Sequence, residues 1–134
     1  MNIFIAGTGT NVGKTIVSAI FAEALQADYW KPVQAGNLEN TDSDILRELL
    51  SNTSSFVHPE AYRFSAAVSP HQAAAMEEIR IDVEKMEVPE TKNQLVIEGA
   101  GGLMVPLNRK ELVIDLILQL NVPVILIVKI IWEP

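Results

Sequence analysis

The stretch Gly7-Thr8-Gly9-Thr10-Asn11-Val12-Gly13-Lys14-Thr15 decides the fold. It follows the apolar run Asn2-Ile3-Phe4-Ile5-Ala6 and precedes Thr15 to Leu25, where Ile16, Val17, Ile20, Phe21, Ala24 and Leu25 recur at helical spacing. Strand, small-residue loop and helix therefore stand in direct succession. Such a loop lets successive backbone N–H groups face a phosphate. A lysine then reaches the outer phosphates, a Ser or Thr hydroxyl binds Mg²⁺, and the helix adds its positive N-terminal end. Lys14 and Thr15 fit those roles. The pattern G-x-x-x-x-G-K-[ST] is missed at one place, since Thr8 sits where the first glycine belongs and Gly7 and Gly9 straddle it. A dinucleotide-binding turn fits less well, because the third glycine is absent at its offset and Lys14 belongs to phosphate-loop chemistry.

Working outward, Asp28 to Val33 reads as a second strand, with Pro32 making its end irregular. Asp42 or Ser43 caps a helix running to Leu50. Residues 51–62 are polar and without period. Ser69-Pro70 starts a helix through Glu77, and Ile79 to Met86 reads as a further short one. Gln94 to Glu98 is a third strand, closed by Gly99-Ala100-Gly101-Gly102. Glu111 to Leu120 is a helix, and Val122 to Val128 is an apolar strand suited to burial on both faces. Apolar strands alternating with helices predict an α/β fold: one P-loop domain over residues 1–134, built on a doubly wound, mostly parallel sheet. Doubly wound sheets usually continue past such a strand, so the fold is expected to be incomplete at its C-terminus.

Composition narrows the class. Of 134 residues, 49% are hydrophobic, which suits a packed domain, and the net charge of -7 argues against a nucleic-acid partner. Without cysteine, disulfides, thiolate metal sites and a Cys nucleophile are excluded. No apolar run reaches the roughly 18 residues of a membrane span, and the N-terminus lacks the basic start of a signal peptide. A cytoplasmic protein is the expectation.

Several side chains bear on chemistry. Glu98 follows Leu95-Val96-Ile97 at the carboxyl edge, where doubly wound folds bind ligands, and a charge there is poorly explained by packing. Lys31 reaches the same edge after Tyr29-Trp30. Asp42 and Asp44 read equally as helix caps or as Mg²⁺ ligands. His58 and His71 lack a paired acid at a telling spacing and read as surface residues.

Together these residues resemble dethiobiotin synthetase. The resemblance rests on Gly7 to Thr15, Lys31-Pro32-Val33-Gln34-Ala35-Gly36, Ser43-Asp44, Ser69-Pro70-His71, Glu98-Gly99-Ala100-Gly101-Gly102 and Val105-Pro106-Leu107, in order across the chain to about Val128. One departure is Gly9, where that family usually has Asp. The resemblance implies an ATP- and Mg²⁺-dependent cyclo-ligase that carboxylates 7,8-diaminononanoate with CO₂ and closes a ureido ring in biotin biosynthesis. It implies Lys14 and Lys31 as the catalytic pair. It implies ATP contacts by Asn11, Val12, Gly13, Lys14, Thr15, Ile16, Asp44, Glu98, Gly99, Ala100 and Gly101. Thr10 and Ala35 would touch the substrate, Thr15, Asp44 and Glu98 would hold Mg²⁺, and the enzyme would be a homodimer.

A P-loop amidoligase acting on corrin precursors is the nearest enzyme rival. A partitioning-type ATPase would carry an additional lysine near the loop's start, which Thr8, Gly9 and Thr10 do not supply. A third reading is an inactive truncated remnant. Lys129-Ile130-Ile131-Trp132-Glu133-Pro134 can be encoded by codons that, after one inserted adenine, give Lys-Asn-Asn-Leu-Gly-Thr, and Leu-Gly-Thr is what the resemblance implies just after this strand. The expectation is a one-base frameshift after Lys129, leaving Val124 to Val128 uncovered and the chain prone to associate.

Overall fold

The structure, a computed structural model, describes residues 1–133. Its centre is β1 (Ile3–Gly7), which pairs in parallel with β5 (Leu95–Gly102) on one side and β6 (Val124–Ile127) on the other. With β2 (Asp28–Trp30) beyond β5, the sheet order is β2-β5-β1-β6, all parallel. A parallel sheet leaves two apolar faces to cover. One face packs on α1 (Lys14–Leu25) and α2 (Asp42–Leu49) through Ile5, Ala19, Ala22, Tyr29, Leu46 and Val96. The other packs on α3 (Pro70–Met76) and α4 (Val113–Leu120) through Phe4, Trp30, Ala73, Ile97, Leu116 and Ile117. Adjacent strand residues alternate between the two cores, as the two-residue period requires. The fold is the expected doubly wound α/β sheet of the P-loop type.

The second expected strand divides. Pro32 has no N–H to continue the ladder, and its carbonyl accepts instead from Tyr62 N at 3.0 Å. From there β3 (Val33–Ala35) leaves the main sheet and pairs with β4 (Tyr62–Phe64) in a separate two-stranded ribbon. The stretch expected to be aperiodic, residues 51–62, supplies β2 with an extended partner: Tyr29 N donates to Phe56 O and His58 N to Tyr29 O. His58 is buried rather than on the surface, with Nε2 2.8 Å from the buried Asp28 carboxylate.

Three boundaries also shift. Helix α2 is capped by Thr41, neither by Asp42 nor by Ser43. Thr41 Oγ1 accepts from Asp44 N at 3.1 Å, and Asp44 Oδ2 accepts from Thr41 N at 2.9 Å. Helix α4 begins at Val113 because Leu112 is held extended against Pro106, and its amide donates to Asp115 Oδ2 at 2.7 Å. Between α3 and β5, only Val83–Lys85 forms a helical turn, of the 3₁₀ type.

Among the described residues, strand β6 has one neighbour, β1. Ile125 and Ile127 pack on the core shared with α1, whereas Val124 and Leu126 are 41% and 45% exposed. The expected burial on both faces is therefore met on one face. Among the described residues, no helix is long and apolar enough to cross a membrane.

Candidate functional site: a phosphate-loop cleft

Lys14 opens α1 directly from the glycine loop. Gly13 sits at the helix N-cap with φ 105°, a left-handed conformation that a side chain would strain, and Asn11 also turns left-handed with φ 56°. These turns reverse the chain at the carboxyl end of β1. The loop is then seated on β5. Strand β5 does not stop at Glu98 but runs on to Gly102: after a register shift beyond Ile5↔Glu98, its pairing with β1 resumes at Gly7↔Gly102. A Cβ on Gly102 would lie 3.0 Å from Thr8 O and press on the loop backbone, so glycine lets the loop sit this close.

The result is a cleft of about 880 Å³. Its lining includes Thr10, Asn11, Gly13, Lys14, Thr15 and Ile16 from the loop and helix, with Ala100 and Gly101 from β5 and Ala35 from β3. Val12 lies beneath, its side chain against Gly7, and Gly99 packs against Phe4.

The polar centre of the cleft is Glu98, fully buried in mid-strand rather than at a strand end. Its Oε1 accepts from Ser18 Oγ at 3.1 Å and its Oε2 from Thr15 Oγ1 at 3.3 Å, with Lys31 Nζ 3.6 Å from Oε2. Burial raises its pKa to about 7, and the neighbouring Asp42 adds to this while Lys31 and Thr15 oppose it. Lys31 is itself buried and makes a close ion pair with Asp42. Burial pushes the Asp42 pKa up, but Lys31 outweighs it and holds the carboxyl below its usual value. Lys14 Nζ donates to Gly9 O at 2.8 Å, and burial lowers its pKa.

The structure thus brings Lys14, Thr15, Lys31 and Glu98 together, and it does not bring Asp44 to them. Asp44 is spent on the capping box and on an exposed ion pair with Arg47 at 2.9 Å. Asp42, on the other side of Ser43, lines the cleft instead. A sequence signal for this exists: Thr41-x-x-Asp44 is the spacing of a reciprocal cap, which commits Asp44 and leaves Asp42 free. Ser18 is one turn beyond Lys14 on the same helix face, and that spacing carries it to Glu98. Gln34 was also missed. It is buried, donates to Gly36 O at 2.9 Å and accepts from Asp42 N at 3.4 Å, tying β3 to the start of α2.

Mg²⁺ takes oxygen ligands, usually one or two carboxylates beside phosphate oxygens and water. Thr15, Asp42 and Glu98 supply only oxygen donors at the loop, so the donor set fits that ion. Among the described residues no group of three or more His, Cys, Asp or Glu is placed to hold a metal ion, so these oxygens would hold Mg²⁺ only together with the phosphates.

Comparisons with known proteins agree with this architecture. The chain is similar to a protein named ATP-dependent dethiobiotin synthetase BioD from Christiangramia forsetii, 56% identical over 85% of this chain and 55% of that protein. It is 54% identical to the protein of the same name from Cytophaga hutchinsonii, over 92% of this chain and 60% of that protein. With its namesake from Paramagnetospirillum magneticum it shares 44% identity over 95% of this chain and 61% of that protein. The chain therefore spans between 55% and 61% of the length of these relatives. A family model described as an AAA domain matches residues 1–131, and the chain belongs to that family.

Proposed function

We propose that this chain carries the ATP site of a dethiobiotin synthetase, a ligase of biotin biosynthesis. The observation that carries the reading is the convergence of Lys14, Lys31, Thr15, Asp42 and Glu98 on one phosphate-loop cleft. The substrates are ATP, CO₂ and 7,8-diaminononanoate. One amine of the diamine takes up CO₂ as a carbamate and releases a proton. The carbamate oxygen attacks the γ-phosphorus of ATP, and ADP leaves. The second amine attacks the carbonyl carbon of the mixed anhydride, phosphate leaves, and the ureido ring closes.

Each residue has a part in this. Phosphoryl transfer depends mainly on positioning and charge neutralisation. The loop amides and Asn11, Gly13 and Ile16 cradle the nucleotide, and Lys14 exchanges Gly9 O for the β/γ-phosphates. Lys31, fixed by Asp42 and Glu98, draws the carbamate and the moving phosphoryl group together. Thr15, Asp42 and Glu98 would hold Mg²⁺, which supplies charge neutralisation at the phosphates. Asp44 keeps the helix start in place. Thr10 and Ala35 face the diamine side, and the backbone of Gly99, Ala100 and Gly101 belongs to the ATP side.

We further assign a homodimer and a cytoplasmic location. The exposed Ile16 and Ile20 on α1, 55% and 60% accessible, support a subunit contact beside the cleft. An ATP-consuming step in cofactor synthesis fits the cytoplasm. The test is phosphate release from ATP by the purified chain. It should rise on adding 7,8-diaminononanoate with bicarbonate, and ATP hydrolysis indifferent to the diamine would oppose the reading.

A further inference from the structure

Where β3 gives way to the loop that leads to α2, Gln34 is buried although its side chain carries both a donor and an acceptor. Both are used. Its Nε2 donates to Gly36 O at 2.9 Å, and its Oε1 accepts from Asp42 N at 3.4 Å. The partners decide which way the amide is turned, since Gly36 O can only accept and Asp42 N can only donate. One side chain therefore ties the start of the loop, residues 36–41, to its end.

The far end matters most. Asp42 N is a first-turn amide of α2, and such amides find no partner within their own helix. The capping box does not serve it, because Thr41 Oγ1 accepts from Asp44 N and Asp44 Oδ2 accepts from Thr41 N. Gln34 Oε1 fills that gap from outside the helix. The loop it closes turns sharply, with φ 79° at Gly36 and φ 51° at Asn37, and Gly36 N is itself held by Phe64 O at 2.8 Å. The residue whose backbone Gln34 holds also carries the carboxylate paired with Lys31. An aspartate side chain is short and sits in few rotamers, so the placement of its backbone largely decides where its carboxylate goes.

We propose that Gln34 is a positioning residue for Asp42: its side-chain amide fixes the first turn of α2 so that the Asp42 carboxylate meets Lys31 at the phosphate-loop cleft. This rests on Asp42 being a carboxylate of the ATP site. Gln34 lines the cleft wall but acts through Asp42, its amide being engaged at both ends.

The experiment compares the wild-type chain with Gln34→Met, Asp42→Asn and the double variant. Methionine keeps the length of glutamine and removes both hydrogen bonds. In the ligand-free chains, labelled with ¹⁵N-lysine, the Lys31 ammonium is followed by NMR, its line being the one lost in Lys31→Arg. ATP affinity is measured on the same samples with Mg²⁺ and with EDTA. In Gln34→Met the Lys31 line should move, the gain in ATP affinity from Mg²⁺ should fall by about tenfold, the scale of one lost hydrogen bond, and affinity in EDTA should hold. Where Asp42 is already asparagine, Gln34→Met should shift neither the line nor the gain any further. An unmoved line, an unchanged Mg²⁺ gain, or an equal loss in both backgrounds overturns the proposal. If Gln34→Met does not fold, amide exchange in the wild-type chain answers: the Asp42 amide proton should exchange about tenfold or more below the free-chain rate, and exchange at that rate overturns the proposal. If the wild-type chain gains nothing from Mg²⁺, the ATP-site reading fails; a Lys31 line that moves in Gln34→Met then still upholds the tie from Gln34 to Asp42, and one that stays overturns it.

Discussion

Lys31 Nζ lies 3.6 Å from Glu98 Oε2 while it is paired with Asp42, so one buried cation stands between two carboxylates on different elements. Strand β5 brings Glu98, the end of β2 brings Lys31, and the start of α2 brings Asp42. The pairing locks these elements at the mouth of the phosphate loop. It also divides the labour of the two acids. The lysine holds Asp42 charged, while burial holds Glu98 near neutrality.

A pH dependence follows from Glu98. Its pKa is raised from 4.5 to about 7 in the folded chain, so the folded state binds more protons than the unfolded one between those values. Its contribution to stability is full below pH 4.5 and is lost as pH rises through 7, by about 3 kcal/mol at one pKa unit per 1.4 kcal/mol. Denaturant melts of the ligand-free chain should show this fall, and Glu98→Gln should flatten it. An identical pH profile in the variant would remove Glu98 as its source.

Asp42 and Asp44 should separate cleanly. Asp44→Ala removes half of a capping box and should cost about 1 kcal/mol of stability, leaving Mg²⁺-dependent ATP affinity in place. Asp42→Asn removes the acid partner of Lys31 and should weaken Mg²⁺-dependent affinity by about tenfold or more, given about 1.4 kcal/mol per factor of ten. Melting curves and nucleotide titrations on both variants check this, and a reversed pattern would return the metal role to Asp44.

Much of this was legible before any coordinates. Gly13-Lys14-Thr15 between an apolar run and a helical period leaves little choice of loop, and Leu95-Val96-Ile97 has the unbroken apolarity of a central parallel strand. What stayed hidden depends on tertiary partners. That β5 continues through Gly99 to Gly102 is set by its pairing with β1, not by the propensity of glycine. Residues 56–58 pair with Tyr29 although their own sequence has no period. The choice between Asp42 and Asp44 is a different case: it is local, and the reciprocal-cap spacing Thr41-x-x-Asp44 carries it in the sequence.

Gly102→Ala tests the close seat of the loop. The added methyl would lie 3.0 Å from Thr8 O and 3.3 Å from Gly9 N, so the loop has to shift. A stability loss of about 1–3 kcal/mol, typical of overpacking, should accompany weaker ATP binding. Unchanged ATP affinity with a lowered melting temperature would separate the strand's packing from the loop's function.

The open face of β6 should govern association. Val124→Thr with Leu126→Thr keeps β-branched or comparable bulk while replacing two exposed apolar side chains. Sedimentation should show less self-association in the double variant at equal helix and strand content. Equal association would place the sticky surface elsewhere, with Ile16 and Ile20 on α1 next in turn.

The most direct test of the account follows the carbon. The purified chain is incubated with Mg²⁺, ATP, 7,8-diaminononanoate and ¹³C-bicarbonate, and the product is read by mass spectrometry. The account predicts dethiobiotin carrying a single ¹³C in its ureido carbonyl, formed in step with ADP and absent with Lys14→Ala. ATP-bound chain that yields no labelled dethiobiotin, or label that appears equally in Lys14→Ala, would contradict it.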